Sequence, residues 1–207
     1  MFANATRVCV EHSHSQTDRA SGEAPWGIKL LNLYFLRHGE AADAFAWQGD
    51  DFDRPLTDEG RERMALEAEA MKHLELGLDR IVTSPLLRAR QTAAIVADAL
   101  HMQDALVADE RLGANLSLEQ LADILRSGPD AGALMLVGHE PSLSATIGRL
   151  IGGAAIDFKM GSLARVELYD RSDLRGELMW LLPPHLLLLA LRPVQAPQRQ
   201  AIGDKER

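Results

Sequence analysis

The stretch Leu31-Asn32-Leu33-Tyr34-Phe35-Leu36-Arg37-His38-Gly39-Glu40 decides how the chain is read. It is a short apolar run that stops at an arginine, a histidine and a glycine. A run of this length, rich in aromatics and ended by glycine, predicts a β-strand buried on both faces. Such a strand cannot hold Arg37 and His38 in its middle, but it can present them at its C-terminal edge. In open parallel sheets that edge is where ligands bind. His38 is therefore expected to be a reactive group on a rigid strand end, with Arg37 beside it and Gly39 letting the backbone turn tightly beneath.

Working outward, strands alternate with helices. Residues 41–55 form a loop with Asp43, Asp50, Asp51 and Asp53, placed on the substrate side of the strand edge. Thr57 reads as the N-cap of a helix whose inward face carries Met64, Ala68, Met71 and Leu74. A second strand covers 79–84. Ser84-Pro85 then reads as a helix start, a cap followed by proline at the first helical position. Arg88 lies on the same face as Ser84, one turn in, while Arg90 points to solvent. Residues 107–112 read as irregular or briefly extended, and Ser117-Leu118-Glu119-Gln120 as a capping box opening a helix that Gly128-Pro129 ends. Ala133 to Val137 is a third buried strand, running into Gly138-His139-Glu140-Pro141, with Pro141 as a first helical position. Residues 163–169 and 177–182 alternate as two further strands joined by a turn. The pattern predicts an α/β domain, a mainly parallel sheet covered by helices on both faces.

The chain has 207 residues, enough for one domain with a sizeable core. Residues 1–27 read as a disordered polar leader, 28–192 as the folded domain and 193–207 as a flexible tail. The net charge of -8 argues against a nucleic-acid partner, which wants a basic face, so any phosphate site must be a local positive pocket. A single cysteine, Cys9, excludes an intramolecular disulfide framework. No run is long and apolar enough for a spanning helix; the nearest, Leu178 to Leu191, is broken by Pro183-Pro184-His185. With no apolar secretory core at the N-terminus, a cytoplasmic protein without membrane association is expected. His12 and His14 in the leader are read as solvated, since a metal site needs three or four fixed ligands.

Three strands thus end in polar residues: Arg37-His38-Gly39, Ser84 with Arg88, and Gly138-His139-Glu140. Neighbouring parallel strands lie about 5 Å apart, so groups from three of them can share one pocket. Two guanidiniums, two imidazoles and helix N-termini suit a phosphoryl group better than a neutral ligand. Arg37 and Arg88 are expected to clamp its equatorial oxygens with paired N–H bonds. His38, neutral at the attacking nitrogen, is the expected nucleophile, and His139 a donor to the phosphoryl oxygens. Water would then hydrolyse the phosphohistidine. Two arginines beside the site would repel a divalent cation, which argues against a metal centre built from His38, Glu40, His139 and Glu140.

Residues 33–40, the run Ser84-Pro85-Leu86-Leu87-Arg88-Ala89-Arg90-Gln91-Thr92 and Val137-Gly138-His139-Glu140 resemble, in order, the histidine phosphatase superfamily, the phosphoglycerate mutase-like enzymes. The short length, Arg54-Pro55-Leu56-Thr57 and Trp180-Leu181-Leu182-Pro183-Pro184 look most like its small SixA-type phosphohistidine phosphatases. The resemblance implies a three-layer αβα sandwich whose sheet carries one antiparallel strand. It also implies a phosphate pocket of Arg37, His38, Arg88 and His139, and no metal or organic cofactor. The implied partner is a phosphorylated protein, a histidine phosphotransfer domain. A small phosphate ester is the alternative substrate, and a non-catalytic phosphoryl-binding module the alternative role; binding alone would not need His38. Glu110 stands roughly where larger relatives carry a general acid, and could equally be an exposed glutamate paired with Arg111. Glu40 and Asp43 are weaker candidates, and Glu140 may be read as a surface charge at a helix start.

Overall fold

The computed structural model describes residues 30–113, 115–128, 130–170 and 173–191. The expected leader and tail lie outside the described residues. Six strands form one sheet: β1 (Leu31–Arg37), β2 (Arg80–Thr83), β3 (Leu106–Ala108), β4 (Ala133–Gly138), β5 (Leu163–Asp170) and β6 (Arg175–Leu182). Their order is β3-β2-β4-β1-β5-β6. The pairs β3–β2, β2–β4 and β4–β1 are parallel, and β5 runs antiparallel to both β1 and β6. One strand therefore opposes the rest, as the resemblance implied.

The side-chain period of two sorts β1 and β4 between two cores. Leu31, Leu33 and Phe35, with Leu134 and Leu136, face α3 (Leu118–Ser127) and α4 (Ser142–Leu150) through Leu121, Ile124, Leu143 and Ile147. Tyr34 and Leu36, with Met135 and Val137, face α1 (Asp58–Lys72) and α2 (Leu87–Ala99) through Met64, Met71, Ala93 and Val96. A short α5 (Pro184–Leu187) adds Leu187 to that second core. The α/β sandwich with helices on both faces follows. Leu33, Phe35 and Leu36 are wholly buried. Each such side chain contributes about 1.5–3 kcal/mol by leaving water.

Helix starts show where local signals held and where they yielded. Thr57 caps α1, its Oγ1 accepting from Gly60 N at 2.9 Å. Ser117 and Gln120 form the expected capping box on α3, which ends at Gly128. Ser84-Pro85, however, does not start α2. Leu86 is still extended (ψ 137°), the helix begins at Leu87, and no side chain caps it. The Ser84 hydroxyl is engaged instead by His139 and Leu86 N. Likewise Pro141 is the residue before α4 rather than its first, and the Glu140–Pro141 bond is cis. Glu140 is not a loose surface charge: its carboxylate accepts from Ser144 N at 2.9 Å and Ser144 Oγ at 2.6 Å. The piece after β2's helix resolves into β3 and a 3-10 turn over Glu110–Leu112.

Two glycines permit close approach near the strand edge. A Cβ on Gly161, whose φ is +75°, would sit 2.5 Å from Glu67 Oε2, and one on Gly60 would sit 2.1 Å from Glu40 O. Gly39 is different: a Cβ there would meet its neighbours at 3.4 Å or more, and its φ is not left-handed. The expected need for a tight turn at Gly39 is therefore not what the structure uses. No helix among the described residues is long and apolar enough to cross a membrane.

Candidate active site

β2, β4 and β1 are neighbours in the sheet, and each ends one residue before a functional candidate. Ser84 follows β2, His139 follows β4 and His38 follows β1. The ladder continues past the strands, with His38 N donating to Gly138 O (3.1 Å) and Ser84 N to Val137 O (2.9 Å), so these residues are held as rigidly as the strands. The rings of His38 and His139 consequently face each other, their centroids 5.1 Å apart at an interplanar angle of 53°.

His38 is 7% exposed, and its Nδ1 lies 2.7 Å from Gly39 O. A carbonyl only accepts, so Nδ1 carries the proton and Nε2 the lone pair. The carbonyl of Gly39 thus sets the tautomer a nucleophile needs. Burial pushes the His38 pKa down from 6.5 to about 4, against the Gly39 bond, and the charges of Arg88, Arg37 and Arg54 push it the same way as burial. His139 is 3% exposed, with Nε2 2.7 Å from Ser84 Oγ. Ser84 Oγ accepts from Leu86 N at 3.2 Å and keeps its own proton, which it can donate to His139 Nε2. His139 Nδ1 is buried without a protein partner, and in the tautomer that accepts the Ser84 proton at Nε2 it is a donor. Burial, followed by the neighbouring His38 and Arg88, pushes the His139 pKa to about 3. Both rings are neutral at pH 7.

The arginines arrive from two elements. Arg37 is fixed by Nη1 donating to Phe158 O at 2.8 Å. Arg88 is buried, and Asp51 grips the end of its guanidinium: Nη1 donates to Asp51 O (2.8 Å) and Nη2 to Asp51 Oδ2 (3.0 Å). In both arginines Nε is buried and has no protein partner. Thr92 ties α2 to the end of β1, its Oγ1 donating to Arg88 O (2.8 Å) and accepting from Gly39 N (3.0 Å). Arg37, His38 and His139 thus stand at the ends of β1 and β4 with Arg88 reaching in from α2; the charges of both arginines bear on His38, and those of His38 and Arg88 on His139.

Other candidates make no bond to that group among the described residues. Glu110 is exposed in the turn after the edge strand β3, and no hydrogen bond or ion pair among the described residues ties it to the histidines or arginines. Arg111 pairs with Asp109 rather than with Glu110. Asp43 is spent on its own loop, accepting from Phe45 N and Ala46 N. Arg90 is exposed, as expected. Among the described residues, no group of three or more His, Cys, Asp or Glu could hold a metal ion.

Sequence reasoning passed over Ser84, Thr92, Asp51 and Arg54 as site residues. Arg54 Nε donates to Asp51 Oδ1 at 2.7 Å, and its charge reaches both histidines. The Arg54-Pro55-Leu56-Thr57 resemblance was the available signal for it.

The model of the histidine phosphatase superfamily (branch 1) matches residues 33–113. This span carries Arg37 and His38 at the end of β1 and Arg88 on α2. The chain belongs to the histidine phosphatase superfamily. An uncharacterized protein of Picosynechococcus is 47% identical over 119 residues, covering 55% of this chain and 68% of its own. The phosphohistidine phosphatase SixA of Escherichia coli is 26% identical over 164 residues, covering 77% of this chain and 98% of SixA. A solved structure of the protein histidine phosphatase SixA complexed with tungstate matches with a TM-score of 0.65 at 25% identity, over 75% of this chain and 98% of that one.

Proposed function

We propose that this phosphatase uses His38 as its nucleophile and acts on phosphohistidine carried by a phosphotransfer protein. The observation that carries the reading is that Arg37 Nε, Arg88 Nε and His139 Nδ1 are buried without protein partners, while the charges of both arginines bear on His38 and its ring lies 5.1 Å from that of His139. Buried donors left unpaired cost about 1–3 kcal/mol each. A phosphoryl group brings three equatorial oxygens, one for each donor.

The steps follow from the tautomers. His38 Nε2 attacks phosphorus in line as the P–N bond to the substrate imidazole breaks. The electron pair of that bond leaves on the imidazole nitrogen, which takes a proton from water. The imidazole is a good leaving group, so no carboxylic acid is required, in keeping with the lack of any hydrogen bond or ion pair from Glu110 to the group among the described residues. Water then attacks phosphorus, the bond to His38 Nε2 breaks, and inorganic phosphate departs. His139, donating through Nδ1, and the two arginines hold the charge of the transferring group throughout. The similarity of about three quarters of the chain to nearly the full length of SixA supports the choice of substrate.

The test is to trap the enzyme with a phosphorylated histidine phosphotransfer domain and, separately, with an aryl phosphate. Wild type is expected to yield an acid-labile phosphoenzyme that His38→Ala lacks. Turnover that survives in His38→Ala ends the nucleophile role. Faster turnover of the aryl ester than of phosphohistidine would transfer the assignment to small phosphate esters.

A further inference from the structure

The loop joining β1 to α1 carries Phe45, Trp47 and Phe52. The chain has five Phe, three Trp and two Tyr, so three of its ten aromatics fall within eight positions of one loop. Phe45 is 101% exposed and Phe52 43%. Scattered exposed apolar side chains need no explanation, whereas a cluster on one loop beside a site does.

The loop is held, not loose. Asp43 Oδ1 accepts from Phe45 N and Ala46 N, both at 2.9 Å. Trp47 donates from its backbone N to Asp43 O and from Nε1 to Asp50 O, each at 2.9 Å. Asp50 Oδ1 accepts from Phe52 N at 2.9 Å, and Arg54 Nη1 closes the base on Ala42 O at 2.8 Å. These bonds fix the loop backbone and the Trp47 ring, and so the positions from which Phe45 and Phe52 project, before any partner arrives. Rigid, preorganised aromatics are the side chains that anchor protein interfaces. Phe52 directly follows Asp51, whose carboxylate and carbonyl hold Arg88, so the aromatic platform is continuous with the phosphate pocket. Asp43, Asp50 and Asp53 are exposed around the rings and give the platform an acidic border.

We infer that this loop is the docking surface for a phosphorylated protein whose matching face is an apolar patch bordered by lysine or arginine. The inference rests on the phosphatase reading above and specifies its partner. A small ester held by Arg37, Arg88 and the histidines brings no apolar surface to cover Phe45, whereas a protein does. The acidic border selects the partner's sign of charge and speeds its approach at low salt.

Three substrates separate the possibilities: a phosphorylated histidine phosphotransfer domain, free phosphohistidine and an aryl phosphate. Wild type is expected to show a kcat/KM for the protein at least about tenfold above that for free phosphohistidine, falling as salt is added. Phe45→Ala, and Phe45→Ala with Phe52→Ala, should lower the protein value by about tenfold while both small substrates stay within about twofold. Equal losses on protein and small substrates, no loss on any, or a wild type without preference for the protein would overturn the docking surface and leave the phosphatase standing. A wild type inactive on all three would sink the phosphatase reading, and the docking surface with it.

Discussion

Arg88 shows how a single guanidinium is shared between scaffold and site. Asp51 occupies its end, through Nη1 and Nη2, and leaves its buried Nε for a ligand. The Arg88–Asp51 pair is 6% and 58% exposed on its two sides, so one partner is fixed and the other solvated. Asp51 remains charged, because its bond to Arg54 and then Arg88 hold its carboxyl below the usual range. It is therefore a grip and not an acid. Removing the guanidinium with Arg88→Ala is expected to lower kcat by about 10²–10³, the loss seen for other donors to a developing charge. Asp51→Ala should cost about tenfold to a hundredfold, the scale of a group misplaced by about 1 Å. Because Asp51 acts through Arg88, the double variant should be no slower than Arg88→Ala alone. Multiplying losses, measured as kcat on an aryl phosphate, would show that Asp51 acts elsewhere.

At the scale of elements, β1 and α1 carry the load, one holding His38 and the other walling it. β1 is buried on both faces because its alternate residues serve two cores, which leaves it no freedom to slip: a shift of one residue would exchange the cores. α1 begins where Thr57 Oγ1 takes the N–H of Gly60, and Thr57 N in turn donates to Glu40 O at 3.0 Å. The cap therefore also secures the chain just past His38. Thr57→Ala is expected to cost about 1 kcal/mol by denaturant unfolding, and Thr57→Ser to restore most of it. A cost seen equally in both variants would point to the lost methyl and not to the cap. α2 begins two residues later than the Ser84-Pro85 signal suggests, because the serine hydroxyl is drawn to His139.

Over the whole molecule, three buried ionisable groups pull stability in opposite directions with pH. His38 and His139 titrate at about 4 and about 3 when folded, against 6.5 unfolded, so the unfolded chain binds more protons and stability falls as pH drops below 6.5. Glu67 is 1% exposed, and burial pushes its carboxyl up from 4.5 to about 7 against the opposing charge of Arg63. Here the folded chain binds the extra proton, so stability falls as pH rises from 4.5 to about 7. Glu67→Gln cancels only this second trend. Its stability relative to wild type is expected to rise across that window by about 3 kcal/mol, on thermal or denaturant unfolding at stepped pH. A difference independent of pH would show that Glu67 titrates normally. The amino-acid order by itself determined the alternating strands and helices and the two-faced burial of β1, and it singled out Arg37, His38, Arg88 and His139 as candidates. Those are properties of periodicity and of residue type at strand ends, which neighbouring positions encode. Only the tertiary structure decided that β2, β4 and β1 lie side by side, that Asp51 and Arg54 brace Arg88, and that Ser84 serves His139 instead of a helix. The reason is physical: the strand order, the Asp51–Arg88 pair and the Ser84–His139 bond join groups far apart along the chain, and such contacts are set by how the sheet packs.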